Sequence, residues 1–429
     1  MVKLPHWPVP HERSNIELGL GRTLSLLKEL GNPHLKLPPV IHIAGTNGKG
    51  STVAFLKAIF EAAGYKTHTY TSPHLVRYNE RIKILGTDIS DEYLYEIIEE
   101  CRIAAEKIGL NITFFEGTTV AAFLAFSKVP ADIVILETGL GGRLDASNVI
   151  EKPLASIITS ISLDHMDFLG SDVYQIAFEK AGIMKKNSPC IISKQYDEVY
   201  QALEQRAAEI GCETITFEYD FLVEKIADGF RYKSQQRVID LPMPKLIGDH
   251  QLINAGNAIT AAINSGFNIS DHNIAEGLQK VEWPARLQKL ISGPIVDLLP
   301  SHSEIWVDGA HNEAGSYVLS SWLRENLTLP TYLIYGTTKG RDCKVFLQNF
   351  TGLTKRIMAV PIDAEPLSYS EEHIAKIALS LDFPTSCCSS IEEAIEEIVK
   401  LESHNFRILV CGSLYLAGDV LFKNQKMRV

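Results

Sequence analysis

Short runs rich in Val and Ile alternate with helix-like patterns along almost all of this 429-residue chain. Val40–Ala44, Asp132–Leu136 and Ala155–Thr159 are typical of buried strands. Thr118–Lys128 and the segment from Ser51 to Gly64 carry apolar side chains at helical spacing. This order predicts a parallel sheet covered by helices on both faces. With 45% apolar and 22% charged residues, a disordered chain and a coiled coil are excluded.

Two segments interrupt the alternation. Phe217–Leu241 is rich in aromatic and β-branched residues around a turn at Asp228–Gly229, which predicts a small antiparallel sheet. Ser292–Pro294 has the composition of a linker, and a second alternating series follows it. We therefore expect a large α/β domain over residues 1–291 and a smaller, Rossmann-like domain over residues 295–429.

The charge balance restricts the partners of the chain. Its 41 Lys and Arg against 52 Asp and Glu give a net charge of −11, so no nucleic-acid partner is expected. An anionic ligand would need helix N-termini, a few basic side chains and metal ions. No apolar run is long enough for a membrane span, and the N-terminal residues lack a signal-peptide core. The seven Cys include no Cys-x-x-Cys pair, which predicts reduced thiols in a cytoplasmic protein.

The strongest local signal is the glycine-rich loop Gly45–Thr52, which joins a predicted strand to a predicted helix. The backbone N–H groups of such a loop converge on phosphate oxygens. Lys49 can reach the outer phosphates, and the Ser51 hydroxyl can bind a divalent cation. The loop departs from the standard Walker A motif because Gly50 separates this lysine from the hydroxyl. A P-loop-type ATPase domain is favoured over a plain glycine-rich turn.

A carboxylate and a histidine follow two other predicted strands. Glu137 ends the strand that begins at Ile133, and a carboxylate at such a position faces the ligand crevice and suits Mg²⁺. A glutamate that caps the turn is the alternative. His165, beside Asp164, fits a metal site and a structural role equally well.

Four further segments have alternative explanations. Ser72 lies in a turn, Thr71–Leu75, that could form a site or enclose a buried histidine. From its helix alone, Lys180 is predicted to be a solvated surface residue. Asp308–Asn312 and the turn after Gly412 are strand-to-helix turns of the second domain, which suit a ribose, an amine or a carboxylate but could be simple N-caps.

Ten motifs occur in order along nearly the whole chain. They are Ala44–Thr52, Thr71–Leu75, Phe115–Thr119, Glu137–Asn148, Asp164–Gly170, Glu179–Ile183, His250–Ala255, Trp283–Arg286, Asp308–Asn312 and Gly412–Gly418. In this combination the chain resembles the folylpolyglutamate synthase/dihydrofolate synthase family of the Mur ligase superfamily. A cell-wall Mur ligase would share the glycine-rich loop, but would not be expected to carry the Thr71–Leu75 motif.

The resemblance implies a role for each matching residue. ATP would be bound by Thr46, Asn47, Gly48, Lys49, Gly50, Ser51, Asn254, Arg286 and Asp308. Two Mg²⁺ ions would be bound by Ser51, Ser72, Glu137 and His165. The pterin or folate would be bound by Ile16, Glu17, Leu18, Phe115, Glu116, Asp145 and Ala146, and glutamate by His311 and Ser413. Lys49, Lys180 and His165 would be catalytic, and Lys180 aligns with a lysine that is carbamylated in the family.

The implied activity is that of a monomeric, ATP-dependent amide ligase that adds L-glutamate to dihydropteroate and to reduced folates. A carboxylate is a poor electrophile, so ATP would phosphorylate it, and the amine of glutamate would then displace phosphate. The alternatives are a folylpolyglutamate synthase alone, another Mur-type amino-acid ligase, and a nucleotide-binding module without chemistry. Ala285 stands where the family usually has Gly, Met166 where it has Thr, and the altered turn after Gly336 leaves the roles of Lys339 and Asp342 open.

Overall fold

The computed structural model describes residues 5–8, 19–363 and 365–426, so the predicted pterin contacts Ile16, Glu17 and Leu18 lie outside the described residues. The chain divides into two compact units. The first comprises the residues up to Lys245 together with Asp249–Glu282, and the second comprises Leu246–Gly248 and the residues from Trp283 onward. The second unit therefore begins before the linker predicted at Ser292–Pro294.

In the described residues of the first unit, eight strands form one sheet. They are β1 (Val40–Ala44), β2 (Thr67–Tyr70), β3 (Ile82–Ile84), β4 (Thr87–Asp88), β5 (Ile133–Glu137), β6 (Ala155–Ile158), β7 (Cys190–Ile192) and β8 (Thr214–Thr216). Their order is β4-β3-β2-β5-β1-β6-β7-β8. All neighbours from β2 to β8 are parallel, and β3 and β4 form an antiparallel edge. The predicted parallel sheet is confirmed, and its central strands β1 and β5 are buried along their whole length, as expected when helices cover both faces.

Nine α-helices are described in this unit. They are α1 (Gly21–Glu29), α2 (Lys49–Ala62), α3 (Asp91–Lys107), α4 (Phe114–Lys128), α5 (Met166–Leu169), α6 (Val173–Ala181), α7 (Asp197–Ile210), α8 (Asp249–Ile263) and α9 (Asp271–Lys280). Short 3-10 turns cover Pro33–Lys36, Tyr78–Arg81 and Ala146–Val149. Helix α4 begins at Phe114, before the predicted Thr118, because the Thr113 hydroxyl and the Glu116 carboxylate form a capping box.

The predicted antiparallel sheet is confirmed. It contains β9 (Phe221–Ile226), β10 (Gly229–Ser234) and β11 (Val238–Leu241), in the order β11-β10-β9. Gly229 already pairs with Ile226, so the turn is Ala227–Asp228, one residue before the predicted Asp228–Gly229. The hydroxyl of Tyr232 on β10 lies 3.0 Å from that of Thr260 on α8, which fixes the small sheet against this helix.

The second unit contains a mixed sheet. Its strands are β12 (Gln288–Leu290), β13 (Glu304–Val307), β14 (Thr331–Tyr335), β15 (Arg356–Ala359), β16 (Thr385–Cys387) and β17 (Arg407–Cys411), in the order β12-β13-β17-β14-β15-β16. The helices are α10 (Pro294–Asp297), α11 (Glu313–Glu325), α12 (Cys343–Gln348), α13 (Glu371–Leu379), α14 (Ile391–Leu401) and α15 (Leu414–Lys426). Only β12 is antiparallel among these described strands. Because β12 pairs with β13, the chain already belongs to this sheet before Ser292.

Within the described part of the chain, no helix combines the length and the apolar composition that crossing a membrane requires.

Candidate active site

The carboxyl ends of four neighbouring parallel strands, β2, β5, β1 and β6, carry most of the predicted ATP-binding and metal-binding residues. The glycine-rich loop follows β1, Glu137 ends β5, Ser72 follows β2, and His165 follows β6. Ile43 on β1 pairs directly with Glu137 on β5. Since the carboxyl ends of parallel strands meet at one edge, the sheet brings these four segments together there.

The glycine-rich loop is anchored to the loop that follows β6. The N–H groups of Thr46 and Asn47 donate to the carbonyl oxygen of Ser160 over 2.9 and 3.2 Å. The Thr46 hydroxyl donates to the carbonyl of Ser162 and accepts from its N–H, each over 3.1 Å. These contacts fix the backbone that the sequence predicts to surround phosphates.

Helix α2 begins at Lys49, so its first N–H groups, including those of Gly50 and Ser51, have no acceptor within the helix. Gly48 precedes it with a φ of +91°, and a Cβ at this position would lie 2.4 Å from the Asn254 side-chain oxygen. Only glycine fits this combination of backbone conformation and close contact. The resulting free helix N-terminus is suited to an anion.

Two lysines converge on one carbonyl oxygen of the loop. Lys49 Nζ donates to the carbonyls of Gly45, over 3.0 Å, and Thr46, over 3.2 Å. Lys180 Nζ, from α6, donates to the same Gly45 carbonyl over 2.8 Å. The Lys180 side chain is 96% buried, so the surface position predicted from its helix alone is wrong. Its helix packs against the loop, which periodicity alone does not reveal.

The surroundings of Lys180 change its protonation. Burial and the positive charge of Lys49 lower the pKa of its amine from 10.5 to about 7, while Asp164 and Asp145 act in the opposite direction. The amine is therefore partly neutral near pH 7. Lys49, Asp164 and Asp145 are therefore the charged side chains that act on the Lys180 amine.

Side chains from α8 fix the orientation of Ser51. Gln251 Nε2 donates to Ser51 Oγ over 3.3 Å, and Asn254 Nδ2 donates to Gln251 Oε1 over 3.0 Å. All three side chains are buried. Asn254, predicted to bind ATP, thus contacts both Gly48 and this network. Gln251 was not among the predicted site residues, although it stands in the His250–Ala255 motif.

Glu137 and Ser72 are in contact. The Ser72 N–H donates to Glu137 Oε2 over 3.3 Å, and the Glu137 side chain is buried. No group of three or more His, Cys, Asp or Glu side chains among the described residues could hold a metal ion. Mg²⁺ commonly takes one or two protein oxygens together with phosphates and water, so the Ser51 hydroxyl and the Glu137 carboxylate fit a nucleotide-bound Mg²⁺.

His165 lies immediately before α5 with a φ of +51°. Its Nε2 is 3.9 Å from the Asp164 carboxylate, and its side chain is 41% exposed. It therefore reaches the same edge of the sheet in an accessible position. Its roles in metal binding and catalysis stay predictions.

The loop Gly139–Asp145 is organised by a buried carboxylate. Asp145 accepts from the N–H groups of Gly139 and Leu140 and from the N–H and hydroxyl of Ser147. Ser147 Oγ lies 2.9 Å from Nε2 of His42, a residue of β1. Burial lowers the pKa of the His42 imidazole to about 3. Burial raises the pKa of the Asp145 carboxyl above its usual value, and the hydrogen bonds from these donors act in the opposite direction. This His42–Ser147–Asp145 chain was not predicted, since strand periodicity does not show which buried histidine faces a loop.

The other predicted pterin contacts surround this loop. Phe115 packs tightly on Gly139: a Cβ added to Gly139 would lie 2.1 Å from the Phe115 ring. Ala146 is buried directly after Asp145. The Glu116 carboxylate caps its own helix and lies 3.1 Å from Arg22 Nε. Its contact with a pterin stays a prediction, because the geometry gives this carboxylate a structural partner on each side.

In the second unit, the turns after β13 and β17 lie side by side, because these strands are parallel neighbours. Asp308 accepts from the N–H groups of Leu287 and Ala310 over 2.7 Å each, and burial raises its pKa. A Cβ at Gly309 would lie 3.0 Å from Arg286 Nη1, so Asp308 and Arg286 belong to one cluster. Their role in binding ATP stays a prediction.

The predicted glutamate-binding residues belong to the same two turns. His311 Nδ1 lies 2.9 Å from the carbonyl of Gly309, and the Gly412 N–H donates to the carbonyl of Ala310 over 2.9 Å. Ser413 is buried, and its hydroxyl accepts from the N–H of Tyr415. Asp342, whose role the sequence left open, caps α12 by accepting from the N–H groups of two residues in its first turn.

Comparison with known proteins places both units in one family. Residues 43–262 match the Mur ligase middle domain, and residues 295–423 match the dihydrofolate synthetase C-terminal domain. The chain is 32% identical over 422 residues to the dihydrofolate synthase/folylpolyglutamate synthase of Bacillus subtilis, covering 94% of each chain. The chain belongs to the dihydrofolate synthase/folylpolyglutamate synthase family.

Solved structures of this family have the same architecture. E. coli FolC in complex with DHPP and ADP is 28% identical, with a TM-score of 0.86 over 96% of this chain and 94% of that one. A bifunctional folylpolyglutamate synthase/dihydrofolate synthase with Mn, AMPPNP and L-glutamate bound is also 28% identical, with a TM-score of 0.84 over 95% and 94%. The predicted family, the fold and the class of enzyme, an ATP-dependent ligase, are thereby confirmed.

Proposed function

We propose that this enzyme adds L-glutamate to 7,8-dihydropteroate and to reduced folates, with ATP as the phosphoryl donor. The observation that carries the proposal is the convergence of Lys49 and Lys180 on the Gly45 carbonyl, at the sheet edge where Glu137 also lies. This edge combines a loop for phosphates, a carboxylate for a divalent cation and a neighbouring loop around Asp145. The two related structures were solved with DHPP and ADP and with Mn, AMPPNP and L-glutamate, which supports a nucleotide, a divalent metal and glutamate as ligands here.

In the first step, a carboxylate oxygen of the acid substrate attacks the γ-phosphorus of ATP, and the bond to the bridging oxygen of ADP breaks. Two anions must approach each other, so positive charge is needed at this point. Lys49 and the N–H groups at the start of α2 would bind the phosphates. Ser51, Ser72, Glu137 and His165 would hold two Mg²⁺ ions, which when bound offset the charge of the phosphates.

In the second step, the amine of glutamate attacks the carbonyl carbon of the acyl phosphate. The amine loses a proton, an amide bond forms, and inorganic phosphate leaves with the electron pair of the broken C–O bond. His311 and Ser413 would position glutamate, and Arg286, Asp308 and Asn254 would bind the nucleotide. Phe115, Asp145 and Ala146 would line the pterin site.

We also propose that Lys180 carries a carbamate in the working enzyme. A neutral amine attacks CO₂, forms an N–C bond and releases one proton, so the reaction requires the unprotonated form. The lowered pKa of Lys180, about 7, supplies this form near neutral pH. The product is a carboxylate-like group beside Lys49, in place of a second positive charge.

All seven cysteines are free thiols, and six of them are buried. This supports the cytoplasmic location expected from the sequence, since reducing compartments keep thiols reduced. The monomeric state stays a prediction.

The proposed function is tested by measuring ADP release with each substrate omitted in turn. ADP release should require both dihydropteroate and glutamate. Lys49→Ala should lower kcat by about 100-fold or more, since it removes a charge that contacts the transferred group. Lys57→Ala serves as the control, because Lys57 lies on the same helix but pairs with Glu61 over 2.7 Å.

Three results would count against the proposal. Unchanged ligation by Lys49→Ala would contradict the phosphate loop. Activity with tetrahydrofolate but none with dihydropteroate would indicate a folylpolyglutamate synthase alone. ADP release that requires a different acid would indicate another Mur-type ligase.

A further inference from the structure

Arg81 is a buried cation at the end of the 3-10 turn Tyr78–Arg81, next to the edge strand β3. Its side chain is 92% buried. The Nε–H donates to His74 Nδ1 over 2.8 Å, and the guanidinium carbon lies 5.7 Å from the ring centre of Tyr78 and 5.6 Å from that of Phe114. The charge is thus surrounded by an imidazole and two aromatic rings.

Glu80 and Asp91, two acidic residues of the neighbouring segments, do not neutralise the charge of Arg81. The Glu80 carboxylate accepts from the N–H groups of Leu75 and Val76. Asp91 pairs with Arg77 over 2.8 Å. Among the described residues, no carboxylate forms an ion pair or a hydrogen bond with Arg81.

His74 does not supply the missing negative charge. Because its Nδ1 accepts a hydrogen bond from the permanently charged guanidinium, the imidazole is neutral, with its own proton on Nε2. Buried charges in proteins are almost always paired, because an unpaired charge loses its hydration without compensation. An uncompensated guanidinium therefore indicates a place for an anionic ligand.

The position of Arg81 indicates which anionic group of the substrates it would bind. Its carbonyl accepts from the N–H of Thr71 over 3.0 Å, directly before Ser72, whose own N–H contacts Glu137. On the other side, Tyr70 is in ring contact with Phe115, at 6.2 Å between centres. The backbone of Arg81 is thus bonded to the Thr71–Ser72 segment at the phosphate and metal end, and its guanidinium contacts Phe114, the neighbour of the Phe115 that covers the Gly139–Asp145 loop.

We propose that Arg81 binds the carboxylate of the acid substrate, through the two terminal nitrogens of its guanidinium. These nitrogens form the planar fork that matches a carboxylate. The Nε–H bond to His74 and the rings of Tyr78 and Phe114 fix the plane of this fork. The inference rests on the proposed function, because it assigns a contact for the group that is to be phosphorylated.

The test compares binding of dihydropteroate with binding of its primary carboxamide, in the presence of saturating MgADP. The wild type should bind the carboxylate at least about tenfold more tightly, as expected for a charged hydrogen-bonded pair. Arg81→Gln should lose this preference while binding the carboxamide as the wild type does. Arg77→Gln is the matched control, since Arg77 lies in the same segment but is exposed and pairs with Asp91; it should keep the full preference.

Comparing the binding of AMPPNP and ADP tests whether Arg81 binds the γ-phosphate of ATP rather than the carboxylate of the acid substrate. If Arg81 instead binds this phosphate, Arg81→Gln would weaken the binding of AMPPNP relative to that of ADP. The preference for dihydropteroate over its carboxamide would be unchanged, and this result would overturn the proposal. Equal weakening of the carboxylate and the carboxamide would also overturn it, because that result indicates a structural role.

Stability gives a readout that is independent of binding. Removing an uncompensated buried cation should leave the melting temperature of the ligand-free protein unchanged or higher, whereas removing a structural arginine should lower it. Should Arg81→Gln not fold, Arg81→Lys takes its place: a point charge without the fork should reduce the carboxylate preference several-fold, and an unchanged preference would overturn the proposal.

Dihydropteroate that binds with this preference but supports no glutamate-dependent ADP release would contradict the proposed function alone.

Discussion

Lys180 places an amine in the interior beside a second lysine, with the Gly45 carbonyl as its hydrogen-bond acceptor. Its pKa falls from 10.5 to about 7, since burial and the charge of Lys49 both disfavour the protonated form. The unfolded chain therefore binds one more proton than the folded one between these two pH values. This side chain lowers the stability of the folded protein at neutral pH.

We predict that Lys180→Met, in buffer free of CO₂, raises the free energy of unfolding at pH 7 by an amount on the order of a few kcal/mol. The gain should shrink as the pH rises from 7 through 10.5, since the lysine is neutral in both states only above that pH. Urea unfolding at several pH values measures it. The same variant should be inactive, and native mass spectrometry in bicarbonate should find one added CO₂ on the wild type only; an equal addition to both proteins would contradict carbamylation.

For individual residues, the sequence predicted which side chains carry the chemistry better than it predicted where those side chains lie in the fold. Lys49, Glu137 and Ser51 could be chosen because each stands where a strand ends or a helix begins. Lys180 and Arg81 could not be placed from periodicity, because their burial depends on loops distant in the chain. Gln251 could have been recognised, since its motif was visible and an amide three residues before Asn254 lies on the same helix face.

At the scale of elements, α6 and the loop Gly139–Asp145 are in direct backbone contact. The Arg143 N–H donates to the carbonyl of Glu179 over 2.7 Å. A Cβ on Gly182 would lie 2.3 Å from the Cα of Arg143, although its φ of −59° is one that alanine adopts freely. The absence of a side chain at Gly182 thus sets the distance between the helix that carries Lys180 and the loop that carries Asp145.

We predict that Gly182→Ala destabilises the protein by about 1–3 kcal/mol, because the methyl group must separate two packed backbones. The ligase kcat should fall as well, since Lys180 lies two residues before the substitution. Gly21→Ala is the control: no atom lies within 4 Å of its added Cβ, and alanine favours the helix α1. Equal melting temperatures and rates for the two variants would show that this contact does not position the site.

Element boundaries differ from the prediction where a local signal was overlooked. The Thr-Phe-Phe-Glu sequence at 113–116 is a capping-box pattern, so α4 could have been started at Phe114 from the sequence. The short strand β12 was less predictable. Gln288–Leu290 has only three residues, and its pairing with β13 is a tertiary interaction that moves the division between the units to Trp283.

At the scale of the whole molecule, an acidic protein with a net charge of −11 binds anionic ligands through local features. A helix N-terminus, two adjacent lysines and a buried arginine are concentrated along one sheet edge. The alternation of strands and helices predicted this edge, because parallel strands place all their carboxyl ends together. The identity of the acid depends on side-chain positions that the sequence pattern does not contain.

The proposed reaction requires ATP to activate the carboxylate of the substrate by phosphorylating it. The most direct measurement uses dihydropteroate whose carboxylate carries isotopically heavy oxygen, converted with ATP and glutamate and followed by mass spectrometry of the products. An acyl-phosphate intermediate should leave one heavy oxygen atom in the inorganic phosphate, because the oxygen between carbon and phosphorus leaves with phosphate. Unlabelled inorganic phosphate, or heavy oxygen in AMP, would contradict it.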